Sequence, residues 1–171
     1  MDRSAKTQVF GDQLPGRVAP PASDSELRVM PIDCNQLEDV YRLAFQSFPA
    51  VWSEKEFAYF LAHENRLCMG LVTESPQGPR LRSYFLGLLI QGDLDIISVA
   101  TATEDRRLGL GEKLLRRVCA HPEVRRAFLE VEVDNAPAIA LYSKLGFQNL
   151  GRRHSYYGPN RDAFLMRWVS T

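Results

Sequence analysis

The chain is predicted to fold as one α/β domain around a single mixed β-sheet. Three observations carry this. Its 171 residues are the length of one domain with a sizeable core. Short apolar strand-like runs and helical periods follow one another in the order βααβββαβαββ. An apolar run ending in Val99-Ala-Thr101 leads into Arg106-Arg-Leu-Gly-Leu-Gly111, a turn that opens an amphipathic helix.

Each element has a local reason. Residues 1 to 24 are rich in Pro, Gly, Ser and charge and read as a flexible tail, so the domain is assigned to 25–171. Leu27 to Pro31 is a short strand. Asp33 or Asn35 can cap a helix with Leu37, Val40, Tyr41, Ala44, Phe45 and Phe48 on one face, ended by Pro49. Ser53 and Glu56 form a capping box for a second helix carrying Phe57, Phe60 and Leu61. Leu67 to Thr73 is a strand, followed by the turn Ser75-Pro-Gln-Gly-Pro79. Tyr84–Ile90 and Asp95–Ala100 are apolar strands joined through Gln91-Gly92-Asp93. A helix follows over about 109–120, then a strand from Phe128 to Val133. Asn135 caps a helix to about Leu145, with Pro137 in its first turn and Gly146 as its stop. Phe147–Tyr157 and Ala163–Val169 close the chain as two strands across Gly158-Pro159-Asn160.

Composition narrows the function. Lys+Arg and Asp+Glu both number 21, so bulk attraction to nucleic acid or anionic lipid is not indicated. Cys34, Cys68 and Cys119 are scattered and odd in number, and read as reduced, buried thiols. His63, His121 and His154 lack metal-ligand spacing, so no metal is expected. The N-terminus has no signal-peptide pattern and no apolar run is long enough to span a bilayer, which points to a cytoplasmic protein.

The turn suits phosphate. Gly109 and Gly111 let backbone approach an anion, and the helix directs its free N–H groups and positive dipole end there. Arg106 and Arg107 add charge. The bland alternative is a tight turn entering a helix. It is neither a Walker loop nor a complete dinucleotide fingerprint.

Two further constellations lie downstream. In Leu129-Glu-Val-Glu-Val-Asp134, period two puts Glu130, Glu132 and Asp134 on one face. Carboxylates in line attract an ammonium, and their repulsion favours one acting as a base; the alternative is a solvated acidic face. In Ala136 to Phe147, Ile139, Tyr142 and Leu145 recur at helical spacing, so Tyr142 faces inward or into a cleft. There its phenol either donates a proton or is an ordinary core tyrosine.

Together these stretches resemble the GNAT acetyltransferase superfamily, from the glycine-rich turn through Asn135-Ala-Pro-Ala-Ile-Ala-Leu-Tyr-Ser-Lys-Leu-Gly-Phe147. Within it the chain is similar to the ribosomal-protein-alanine N-acetyltransferase (RimI-type) group. Trp52-Ser-Glu-Lys, Leu129-Glu-Val, Arg152-Arg-His-Ser-Tyr-Tyr157 and Arg161-Asp-Ala-Phe-Leu-Met166 add to that likeness, which spans about residues 27 to 169.

The resemblance implies a mixed, V-shaped sheet with acetyl-CoA where two parallel strands splay apart. Val99, Ala100 and Thr101 would hold the acetyl and pantetheine parts. Arg106, Arg107, Leu108, Gly109, Leu110, Gly111 and Glu112 would hold the pyrophosphate, and Asn135 would contact the cofactor. The general base falls on Glu130 and the general acid on Tyr142. A carboxylate must take a proton from the ammonium before the amine can attack the thioester. The implied acceptor is a protein N-terminus, the alanine of a small-subunit ribosomal protein. Trp52, Tyr156 and Tyr157 are candidates for the peptide groove, and Glu132 and Asp134 for steering a basic peptide. Two other readings stand beside it: transfer to a small amine or a lysine side chain, and an acyl-CoA-binding regulator without turnover.

Overall fold

The computed structural model describes residues 27–48, 51–74 and 78–170. The predicted tail, Pro49 and the first part of the Ser75–Pro79 turn lie outside the described residues.

Seven strands form one sheet. They are β1 (Leu27–Pro31), β2 (Arg66–Thr73), β3 (Arg80–Ile90), β4 (Asp93–Thr101), β5 (Arg126–Glu132), β6 (Gln148–Arg153) and β7 (Ala163–Val169). Their order is β1-β2-β3-β4-β5-β7-β6. Every neighbouring pair is antiparallel except β4–β5. The helices are α1 (Leu37–Ser47), α2 (Glu54–Leu61), α3 (Leu110–Cys119) and α4 (Ala136–Lys144).

Strand alternation divides the core. On β3, Phe85 faces one cluster while Tyr84 and Leu86 face the other; on β4, Leu94 and Ile96 oppose Ile97 and Ala100. The first cluster takes Leu114, Leu115 and Val118 of α3 and Ala138 and Tyr142 of α4. The second takes Val40, Leu43 and Ala44 of α1 and Phe57, Phe60 and Leu61 of α2. Helix α3 shows why its sequence folds so. Leu110, Leu114, Leu115 and Val118 are buried on one stripe, and Glu112, Arg116 and Arg117 lie outside it. Each such aliphatic side chain contributes roughly 1.5–3 kcal/mol by burial.

Both predicted caps at the chain's start are present. Asp33 caps a short 3-10 turn, Cys34–Gln36, that leads into α1, and Ser53 and Glu56 form the capping box of α2. Three expectations are corrected. Phe45 is 69% exposed, because the buried stripe of α1 runs through Val40, Leu43, Ala44 and Ser47. Cys34 is exposed rather than buried. The last hairpin is not two strands across a three-residue turn. β6 stops at Arg153, and 154–162 form a broad loop. Asp162 gathers that loop, accepting from Ser155 N at 2.8 Å and Arg152 Nε at 2.7 Å, with His154 Nδ1 at 2.9 Å.

The site is set where β4 leaves β5. The two strands pair only at Asp93–Arg126, Leu94–Ala127 and Asp95–Phe128. Beyond that, β4 stays paired with β3 as far as Thr101, and β5 with β7 as far as Glu132. The β3–β4 register shifts between Leu86 and Gly87, passing over Ile97, at the same level. A bulge bends and twists its strand, which is the physical means of parting β4 from β5.

Candidate active site

A cleft of about 430 Å³ opens beside the far end of β4. Val99, Ala100 and Thr101 form one wall, and Arg106, Arg107, Gly109, Leu110, Gly111 and Glu112 curl around its end. Sequence reasoning found these nine. It missed Ser47, Pro137 and Leu141, whose placement depends on packing between distant segments, and Asp105, which sits within the same stretch as the turn. Leu108 and Asn135 are not among the lining residues. Leu108 is exposed, and Asn135 caps α4, its Oδ1 accepting from Ala138 N at 3.2 Å.

The turn has unusual backbone. Gly109 sits at φ 75°, and Arg107, with a side chain, at φ 66°. That region disfavours L-residues by roughly 1–2 kcal/mol, and such strain clusters at ligand clamps. Gly109 is also the N-cap of α3, so the turn presents the helix's first N–H groups to the cleft. A Cβ on Gly111 would lie 3.4 Å from Thr101 Oγ1, an ordinary contact. The fold therefore does not require glycine at Gly111; the open cleft beside it gains from one.

Charges pin the turn. Buried Asp105 makes a two-nitrogen ion pair with Arg82 of β3, and Arg82 also donates to Thr73 Oγ1 at 3.3 Å. That hydrogen bond to Asp105 raises the Arg82 pKa above its usual value. Arg106 was expected to add charge for phosphate. It lines the cleft, and its guanidinium reaches to Ser47 Oγ at 3.1 Å and the Gln46 carbonyl at 3.4 Å, tying the turn to the end of α1. Glu112 accepts from Lys144 Nζ at 2.6 Å and from Arg116 at 2.9 Å, which hold its carboxyl below the usual range. Two cations thus offset an acid that would repel an anion in the cleft.

The second half of the site lies on β5 and the loop after β6. Glu130 is buried, 6% exposed, and its Oε1 lies 3.1 Å from Arg153 Nη1. Its Oε2 is buried without a hydrogen-bond partner. Arg153 also stands over the Tyr156 ring, 5.6 Å from the centroid. Burial first, then the Glu130 charge, raises the Tyr156 phenol pKa, so the phenol stays protonated. The Tyr157 ring meets that of Tyr156 edge-on at 5.0 Å, and its hydroxyl donates to the Glu130 carbonyl at 2.9 Å.

The expected bare acidic row is absent. Glu130 is paired with Arg153, Glu132 is held by Arg161 at 2.7 and 3.0 Å, and only Asp134 stands exposed. Tyr142 faces the core: it is fully buried against Phe147, and its hydroxyl has no partner. Burial raises its pKa, leaving it a protonated acid. Trp52 is half-buried and packs on Phe57 and Phe60 at 5.4 and 5.6 Å, at the edge of the α1–α2 cluster. Cys68 and Cys119 are pushed up to about 12 and about 11 by burial, so neither is a thiolate nucleophile at neutral pH. Among the described residues, no group of three or more His, Cys, Asp or Glu could hold a metal ion. No described helix is long and apolar enough to cross a membrane.

A splayed parallel strand pair, a glycine turn at a helix N-terminus and a buried carboxylate beyond it define an acyl-transferring α/β domain. Residues 37–147 match the acetyltransferase (GNAT) family, and the chain belongs to that family. Within it, the chain resembles proteins that acetylate amino termini. It is 34% identical over 137 residues to a Bacillus subtilis protein provisionally named as a ribosomal protein bS18-alanine N-acetyltransferase, covering 78% of this chain and 89% of that one. It is also 34% identical over 148 residues to an N-alpha-acetyltransferase of Sulfurisphaera tokodaii, covering 78% and 86%. The crystal structure of the Escherichia coli ribosomal-protein-S18-alanine N-acetyltransferase superposes with a TM-score of 0.77 at 25% identity, covering 85% of this chain and 95% of that one.

Proposed function

We propose that this N-acetyltransferase moves an acetyl group from acetyl-CoA to the α-amine of a protein N-terminus, the alanine of a small-subunit ribosomal protein. The observation that carries the donor assignment is the cleft. It joins an unpaired strand edge, Val99–Thr101, to an anion seat, Arg107–Gly111, as an acyl pantetheine linked to a pyrophosphate requires. The likeness to the Bacillus and Escherichia alanine N-acetyltransferases supports the acceptor.

Bound there, acetyl-CoA supplies an activated thioester. The chain's residues do the rest. Backbone N–H groups at the helix start hold the diphosphate, and those along the β4 edge orient the acetyl group. Glu130 takes the proton of the α-ammonium, directly or through water. Tyr142 returns the proton of its phenol to the departing sulfur. With direct transfer, no cysteine nucleophile is needed.

The test measures CoA thiol release with Ala-starting ribosomal peptides, polyamines and lysine peptides side by side. Turnover on the Ala-starting peptides alone is the expected result. Acetylation confined to the small amines or lysines ends the N-terminal reading. Acetyl-CoA binding with no turnover on any acceptor points to a regulator.

A further inference from the structure

The end of β6 and the loop after it lay two arginines, Arg153 and Arg161, on two tyrosines and against two glutamates of β5. Arg161 stands over Tyr157 at 5.8 Å and grips Glu132 through two nitrogens, at 2.7 and 3.0 Å. Arg153 stands over Tyr156 and meets Glu130 through one close contact, at 3.1 Å, with the other carboxylate oxygen unpartnered. The first is a two-point clasp, the geometry that makes arginine–carboxylate pairs strong. The second lacks it.

Burial sets the two ends of the Arg153 pair apart. Its side chain is 45% exposed and that of Glu130 is 9% exposed. Among the described residues, Arg153 is the single ion-pair partner of Glu130. A buried carboxylate is costly without a cation, so its place beside Glu130 must be filled in the enzyme at rest. An acceptor amine arrives as an ammonium, a cation of the same charge.

We propose that Arg153 is a displaceable stand-in for the acceptor's ammonium, occupying Glu130 until the substrate exchanges for it. This rests on Glu130 being the base. The exchange conserves charge: one cation leaves as the other enters, and no bond is made or broken. Arg153 then swings toward solvent, where it is already half-exposed, while Arg161 keeps the loop fastened through Glu132. Arg153 is in this sense a positioning residue. It holds the carboxylate in place, and it sets a threshold that an uncharged group cannot overcome.

The test compares wild type, Arg153→Met and Arg153→Lys with an Ala-starting peptide at saturating acetyl-CoA. Arg153→Met removes the competitor, so the peptide KM falls, by roughly 2- to 5-fold given the worth of a half-exposed ion pair. Arg153→Lys keeps a cation there and retains a KM near that of wild type. Methylguanidinium, which fits the vacated seat, inhibits Arg153→Met competitively with peptide and wild type much less. An unchanged or raised peptide KM in Arg153→Met, with equal methylguanidinium inhibition of both proteins, overturns the proposal. Glu130→Gln separates the two layers. If it is inert while Arg153→Met shows no KM effect, only the stand-in is lost; if it turns over at the wild-type rate, the base assignment falls.

Discussion

Tyr157 donates its hydroxyl to the backbone carbonyl of Glu130 at 2.9 Å, joining the loop after β6 to the middle of β5. This bond fastens the loop to β5, and under the proposed function that would shape the acceptor side. Tyr157→Phe leaves a buried carbonyl without that donor. It should cost about 1 kcal/mol in chemical denaturation and raise the peptide KM more than the acetyl-CoA KM.

Glu130→Gln keeps the shape of the side chain and removes its basicity. The kcat for thiol release should fall by roughly 10²–10⁴-fold, the usual worth of a general base. Acetyl-CoA affinity by calorimetry should change little, since Glu130 does not line the cleft. A wild-type rate in this variant removes Glu130 as base.

Tyr142→Phe has two separable effects. The hydroxyl is buried and unpartnered, so its removal should leave stability equal or higher by about 1 kcal/mol. If the phenol donates to sulfur, kcat should fall at the same time. A more stable variant with unchanged kcat returns Tyr142 to the core.

The two glycines of the turn should respond differently. Gly109→Ala places a side chain at φ 75° and should cost roughly 1 kcal/mol of stability. Gly111→Ala has room in the fold, so its thermal midpoint should hold while the acetyl-CoA KM rises. Equal acetyl-CoA binding by Gly111→Ala and wild type would argue against backbone contact there.

Asp162 links loop order to pH. Its hydrogen bond from Ser155 N–H, then those from Arg152 and His154, hold its carboxyl below the ordinary range. A depressed folded-state pKa adds stability that is present above the unfolded value, about 3.9, and lost as pH falls through the folded one. The loop should therefore stay ordered at neutral pH and loosen only below about pH 4. Amide exchange at Ser155 measured against pH checks this, and Asp162→Asn should loosen the same amide at neutral pH.

Much of the site was legible locally. The glycine turn, the capping box of Ser53 and Glu56 and the helix stop at Gly146 are short-range features, fixed by backbone geometry within a few residues. Ten of the cleft's lining residues fall in one continuous neighbourhood, 99–112, and the sequence pattern there located all of them but Asp105. The acidic run on β5 was legible as alternation, and alternation carries no information about what covers a face.

By itself, then, the sequence determined the order of elements, the glycine turn at a helix start and the acidic alternation on β5. Only the tertiary structure decided which charges are free. Arg106 is turned to Ser47, Glu132 is clasped by Arg161, Glu112 is offset by Lys144, and Glu130 is met by Arg153. The physical reason is range. Turns and caps are set by neighbours in the chain, whereas an ionic partner is whatever opposite charge the fold brings within a few ångströms, here from 23 to 32 residues away.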